Sequence, residues 1–315
     1  MKNSKENNMK SSILIHTGEL NQTWIERMAA QKVNILGIHP EGGNGTADTA
    51  RILVEKTKEP EFRALIDLAA DRGLEIEYEL HAASYLLPRD LFETHPEYFR
   101  MDEEGNRTPK QNFCVSCDEA MDLVAKNAVK LAQSLYRSRP YYYFWMDDAR
   151  TATCHCEKCR KLSPSDQYLL YVNRIARELK AVDPKAKVCY LGYYEFLHLP
   201  KTVKPEENVF LEFAPIDKYL KKEFEEIEQR MMMPLIDFFG TDDAKVLEYW
   251  LDNSLFSKWK KPPAPFSADP DTVKADVDAY RKAGFENIAT FGCFLGEDYE
   301  ALYGEPDITP FTKAF

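Results

Sequence analysis

At 315 residues, with 44% hydrophobic and 30% charged side chains, the chain has enough apolar material for one large core or two small ones. Its formal net charge of -11 argues against nucleic acid or an anionic membrane as a general partner, because both are held by Lys and Arg neutralising phosphates, and no stretch approaches the roughly 20 apolar residues of a membrane span. The polar residues 1–10 lack the apolar segment of a secretory signal, so a disordered leader on a cytoplasmic protein is expected, unless a signal peptide has been removed.

In chain order, Ser11 to His16 is a short apolar run, and Trp24, Ile25 and Met28 then show helical spacing. Val33 to His39 reads as a second strand and Pro40 to Gly45 as a loop. Pro60 to Ala70 reads as an amphipathic helix stopped by Gly73. Leu74 to His81 alternates, with Leu74, Ile76, Tyr78 and Leu80 on one face and Glu75, Glu77, Glu79 and His81 on the other, which makes a third strand with a charged inner face. From residue 85 to 113 no clear periodicity exists, and an excursion of that length in a compact domain is a functional loop or an inserted lid.

Helical spacing resumes from Asp118 to Tyr136 and leads into the aromatic run Tyr141 to Met146, a strand covered on both faces that ends in Asp147 and Asp148. Ser163, Pro164 and Asp166 form an N-cap, a first-turn proline and an N3 acid, opening a helix that presents Tyr168, Val172, Ile175, Ala176 and Leu179 on one face. Lys187–Glu195, Asn208–Phe213, Lys245–Trp250 and Asn287–Leu295 are strands five to eight. A charged helix starting near Leu220 should end or kink at Pro234, and a helix over Asp271 to Ala283 ends at Gly284.

Eight strands separated by helices or loops, without a composition break to mark a linker, predict a single (β/α)8 TIM barrel over residues 11–315. A doubly wound open sheet is the alternative, and it is disfavoured because no glycine-rich phosphate fingerprint follows the first strand. In a barrel, His16, His39, His81, Asp147, Asp148, Glu195, Glu212, Glu248 and Trp250 would meet at one mouth. Adjacent carboxylates at a strand end suit sugar cleavage, one donating a proton and one staying ionised, with Trp145 as a stacking surface. Consecutive strand residues point to opposite faces, so Asp147 and Asp148 need a local twist to serve one ligand. The expected substrate is a small saccharide or oligosaccharide.

Five of the seven cysteines fall between Cys114 and Cys159, a pattern of metal binding or reduced thiols. Cys154, Cys156 and Cys159 supply three ligands for a structural zinc, and Cys117, Cys114 or His155 completes the set, Cys117 being favoured because it precedes the helix into strand four. Catalysis itself needs no cofactor on this reading. A metal-dependent hydrolase using the cysteine loop and a sugar-binding barrel without catalysis are the rival functions.

His95 to Phe99, Gly105 to Arg107, Cys114, Asp148, the Cys154–Cys159 group, Asp166 through Asn173 to Ala176, and Pro205 to Val209 together resemble the DUF4838 family. That resemblance implies a barrel related to glycoside hydrolases. Phe144 to Asp148 is also similar to the strand-four ending of family 84 N-acetylglucosaminidases. It implies Asp147 orienting a 2-acetamido group that attacks the anomeric carbon, with Asp148 as general acid and base. The expected site is therefore Asp148 and Asp147 with His39, His81, Trp145, Tyr193, Glu195, Glu212, Glu248 and Trp250 around them.

Overall fold

The computed structural model describes residues 9–42, 45–220 and 225–315. Eight parallel strands close into a barrel in sequence order: β1 (Lys10–His16), β2 (Ile35–His39), β3 (Glu75–His81), β4 (Tyr141–Trp145), β5 (Lys187–Gly192), β6 (Val209–Phe213), β7 (Lys245–Glu248) and β8 (Asn287–Phe291). The last strand pairs with the first, Lys10 with Asn287 through Leu14 with Phe291. This is the (β/α)8 barrel expected from the sequence. Its strands read as apolar runs because both faces are covered, the inner by other strands and the outer by helices.

Local chemistry explains the helix boundaries. Ser163 caps the helix Pro164–Val182 by accepting from the Asp166 amide at 3.1 Å, and Asp166 reaches back to the Ser163 amide at 3.3 Å. The other Asp166 oxygen accepts from the amides of Lys201, Thr202 and Val203 at 2.8–2.9 Å, so the same carboxylate fixes the loop before β6. Gly284 ends the helix Pro270–Ala283 in a left-handed conformation at φ 100°, which a side chain would oppose.

Several boundaries differ from the sequence reading. Lys10 belongs to β1, while residues 1–8 of the expected leader lie outside the described residues. Thr46–Lys56 is a helix, not an unassigned stretch. The helix Glu225–Phe239 continues through Pro234, losing only one backbone donor there, and the four residues before it lie outside the described residues. The excursion after β3 consists of short turns, Ala83–Leu86, Arg89–Glu93 and Pro96–Tyr98, anchored by fully buried Phe99 and Phe113. Strands β7 and β8 stop at Glu248 and Phe291, and the residues beyond them turn over the mouth.

Inside the barrel sits a polar layer. Lys245 Nζ lies 3.1 Å from Glu77, 2.5 Å from Glu79 and 3.4 Å from Glu212, all four side chains being fully buried. Arg139 holds Glu77 at 2.7 Å, and the Tyr143 ring lies 4.3 Å from the lysine nitrogen. Burial drives the Glu79 carboxyl well above its ordinary range and raises that of Glu212, against the pull of Lys245. A Cβ on Gly37 would come within 2.6 Å of Leu14 and 3.3 Å of a Glu79 oxygen, so only glycine leaves room for this layer.

Candidate active site

Above the polar layer, at the C-terminal ends of the strands, a cleft of about 410 Å³ opens. That is a size suited to a small organic ligand, at the end of the barrel where TIM-barrel sites are built. His16 and His39 end β1 and β2 in register, and His81 ends β3 opposite Trp145 of β4. All four line the cleft. The rings of His39 and His81 are 5.9 Å apart and each packs against Trp145, at 5.7 and 5.1 Å.

Backbone carbonyls fix the ring tautomers. Nδ1 of His39 lies 2.8 Å from the Glu79 carbonyl and Nδ1 of His81 lies 2.6 Å from that of Met146. A carbonyl only accepts, so in each ring Nδ1 carries the proton. Burial holds His39 neutral, well below the usual imidazole range, with the neighbouring histidines adding to the shift. Its Nε2 is therefore an acceptor, suited to a ligand hydroxyl. His16 is likewise lowered by burial, to about 4, with Lys261 contributing. Beside it, 3.6 Å from the ring, burial raises Glu19 to about 7, although that carboxylate accepts from the Phe294 amide at 2.7 Å.

The two acids after β4 part company. The strand stops at Trp145 and the chain turns, the Ala149 amide reaching the Asp147 carbonyl at 2.8 Å. Asp148 lines the cleft and accepts from the Tyr193 hydroxyl at 3.1 Å. A Cβ on Gly42 would approach Asp148 Oδ2 to 2.9 Å, so the bare backbone after β2 makes room for this carboxylate. Asp147 points behind the cleft. Its Oδ1 accepts from the Ser84 amide at 3.0 Å and the Thr46 hydroxyl at 3.1 Å; its Oδ2 accepts from the Asn112 amide at 2.5 Å and from the Ser84 hydroxyl. Asn112 also accepts from the Asp147 amide at 2.8 Å. The expected sharing of one ligand by Asp147 and Asp148 is thus corrected: Asp147 has its oxygens committed to four protein donors.

Three glutamates and a tryptophan expected at the mouth are also elsewhere. Glu212 is in the polar layer below. In β7 the inward positions are Lys245, Leu247 and Tyr249, so alternation sends Glu248 and Trp250 to the helix side. There Glu248 accepts from Tyr219 at 2.6 Å, meets Lys218 at 3.2 Å and is also bonded by Tyr280, while Trp250 Nε1 donates to Asp276 at 2.9 Å. Glu195 accepts from the Thr151 amide at 2.9 Å, joining the loops after β4 and β5 outside the cleft, and burial raises its carboxyl.

Asp252, which the sequence reading missed, lines the cleft from the turn after β7. It caps the short helix Asn253–Phe256: its Oδ1 accepts from the Ser254 amide at 3.0 Å, the Leu255 amide at 3.3 Å and the Ser254 hydroxyl at 2.5 Å. Burial raises its carboxyl to about 6 despite those bonds. The available signal was an acid two residues past the predicted end of strand seven, followed by Asn-Ser as a helix start. Tyr249, Phe291, Phe294 and Trp259 complete the aromatic wall. Phe294 and Trp259, like the cleft residue Tyr194, hold left-handed backbone with φ of 60°, 54° and 48°, a conformation costly for aromatic residues and concentrated at functional sites.

The sulfurs of Cys114, Cys154, Cys156 and Cys159 all lie within 4.8 Å of one another, behind the cleft and outside its lining. Cys117, the expected fourth member, instead stands at the start of the helix Asp118–Ser134, with its sulfur 3.5 Å from Glu119. Cys114 stands in its place, within the buried stretch from Asn112 to Val115.

Comparison with solved structures returns barrels that act on sugars. The hyperthermophilic endo-β-1,4-glucanase aligns over 98% of this chain and 96% of its own at 10% identity, with a TM-score of 0.55. The pneumococcal virulence factor StrH aligns over 98% and 83% at 12% identity, with a TM-score of 0.53. The β-galactosidase of the psychrophilic Marinomonas ef1 aligns over 90% of this chain at 12% identity, with a TM-score of 0.52, and this chain spans about half, 54%, of that protein. At such identities the structural likeness shows a shared fold alone. No helix among the described residues is long and apolar enough to cross a membrane. No curated protein matches the sequence. The family model for a domain of unknown function, DUF4838, matches residues 47–249, well over half of the chain, and the protein belongs to that family.

Proposed function

We propose that the protein is a glycosidase whose working carboxylates are Asp148 after β4 and Asp252 after β7. The observation that carries this reading is the placement of these two acids, from well-separated strand ends, in one cleft walled by aromatic rings and imidazoles. Glycosidic cleavage asks for a proton donor and an ionised partner on either side of the bond. Asp252, raised by burial to about 6, is the donor, which transfers to it the role that sequence reasoning gave Asp148. Asp148, held by Tyr193, is the ionised partner that attacks the anomeric carbon or activates water. Trp145 and Tyr249 give a sugar apolar surface, and His39 accepts from a hydroxyl. A 2-acetamido route through an Asp147–Asp148 pair would require Asp147 to leave Thr46, Ser84 and Asn112, so that route is not part of the proposal.

A panel of nitrophenyl glycosides, including N-acetylhexosaminides and uronides, tests the reading. For a substrate that is turned over, Asp252→Asn should lose activity on poor leaving groups by roughly 10²–10⁴-fold, while sparing dinitrophenyl glycosides that need no protonation. Asp148→Asn should lose both. The folded carboxyl of Asp252 is raised, so its protonated fraction falls as pH rises, and kcat/KM should decline above about pH 6, a limb that Asp252→Asn removes. Equal turnover by native protein and both variants would overturn the assignment. Saccharide binding by calorimetry without cleavage of any bound sugar would make the barrel a binding protein.

A further inference from the structure

We propose that Cys114, Cys154, Cys156 and Cys159 hold one Zn²⁺ in a closed tetrahedral site that fastens the excursion after β3 to the loop after β4. This site is independent of whether the cleft cleaves sugars.

The geometry is that of a metal core. A tetrahedron with Zn–S bonds of about 2.3 Å places its sulfurs about 3.8 Å apart. Cys114 Sγ lies 3.7 Å from Cys156 Sγ and 3.8 Å from Cys159 Sγ, far beyond the roughly 2.05 Å of a disulfide, and all four cysteines are free. All four are buried, and they come from two separate segments: Cys114 from one, and Cys154-x-Cys156-x-x-Cys159 from the other. An all-thiolate tetrahedral set selects zinc or iron among common metals, and zinc is the ion of closed structural sites.

The surroundings suit an anionic core. Zn²⁺ replaces the thiol protons, which leave to solvent, and four thiolates around one dication carry a net charge of two minus. The Met101 amide points at Cys154 Sγ from 3.3 Å, the Arg107 guanidinium lies 3.9 Å from the same sulfur, and the Ser116 hydroxyl is 3.0 Å from Cys159 Sγ. Such outer partners orient thiolates and offset their charge. Gln167 adds three bonds to the loop backbone, at the Cys154 amide and the carbonyls of Cys154 and Cys159, at 3.0–3.1 Å. No ligand position opens on the cleft, so the ion's role is to hold the loops. Asn112, two residues before Cys114, carries the paired bonds to Asp147, so the clamp acts on the chain that presents Asp148.

The full chain, purified under reducing conditions without added metal, should contain one zinc per molecule by plasma mass spectrometry. Exchange with Co²⁺ should give the thiolate-to-metal charge-transfer absorption and intense visible bands of a tetrahedral sulfur site. Cys156→Ser should lose the ion and Cys117→Ser should keep it; chelation should lower the melting temperature of the native protein. Absence of metal together with absence of a Co²⁺ spectrum would overturn the proposal, iron in place of zinc would overturn the ion, and loss of metal from Cys117→Ser would overturn the ligand set. Should Cys156→Ser fail to fold, the metal content and Co²⁺ spectrum of the native chain still decide.

Discussion

Two groups of acids occupy one barrel at different heights, and they are handled in opposite ways. In the lower layer Glu77, Glu79 and Glu212 surround Lys245, and every charge there answers to another buried group. In the cleft above, Asp148 accepts from a tyrosine hydroxyl and Asp252 from the amides and hydroxyl of a helix start. Burial alone therefore does not mark a working acid. A carboxylate is tied into the scaffold by an internal lysine, as in the lower layer, or by four donors, as at Asp147, whereas on the proposed reading a place in the open cleft gives Asp148 and Asp252 their proton chemistry.

The contrast breaks most severely at Lys245. Lys245→Met leaves three buried carboxyls with Arg139 on only one of them, and should cost roughly 3–5 kcal/mol in chemical denaturation, part of it recovered by adding Glu79→Gln. A Met variant as stable as the native chain would show that the layer is held by packing alone. In the cleft, Tyr193→Phe removes the hydroxyl bond to Asp148. By the roughly 1.5–3 kcal/mol of a hydrogen bond to a charged group, it should lower kcat/KM about ten- to a hundredfold with little change in melting temperature.

Asp147 belongs with the scaffold despite its neighbour. Each of its oxygens accepts from one backbone amide, so the NH₂ of Asp147→Asn must face an amide donor whichever way it turns. A stability loss of about 1–3 kcal/mol is expected, with binding of a saccharide retained if the folded fraction is measured. The smallest effect is expected at Trp250. Trp250→Phe gives up the bond to Asp276, about 1 kcal/mol, and should leave kcat/KM unchanged because the ring lies on the helix side of β7. A tenfold activity change there would return Trp250 to the site.

The barrel itself was legible because burial on two faces writes unbroken apolar runs, and the alternation of β3 even announced an acidic inner face. Height within the barrel was not legible. Glu212 and Lys245 look like any strand residues until closure brings Lys245 to Glu77, 168 positions away in sequence. The histidines His16, His39 and His81, with Trp145, Asp148 and Tyr193, line the cleft as expected because they sit at or just beyond strand ends, where position in sequence maps onto the mouth. Glu248 and Trp250 were misplaced through phase: a strand end names the mouth, and only the inward parity of Lys245 says which residues face it. Asp252 escaped because it lies past the strand, in a cap. Cys117 was preferred to Cys114 from its place before a helix, yet a residue at a helix start follows the helix, and the buried cysteine lies three residues earlier.

The lower layer has a consequence for how the molecule can be divided. Its carboxylates Glu77 and Glu79 come from β3 and its lysine from β7, on opposite sides of the ring. A fragment ending after β4 would keep the acids with only Arg139 for company, and a fragment starting at β5 would keep the lysine with Glu212 alone. Neither half keeps the layer whole, so the two halves of this barrel are complementary pieces, each expected to be less stable alone than with the other.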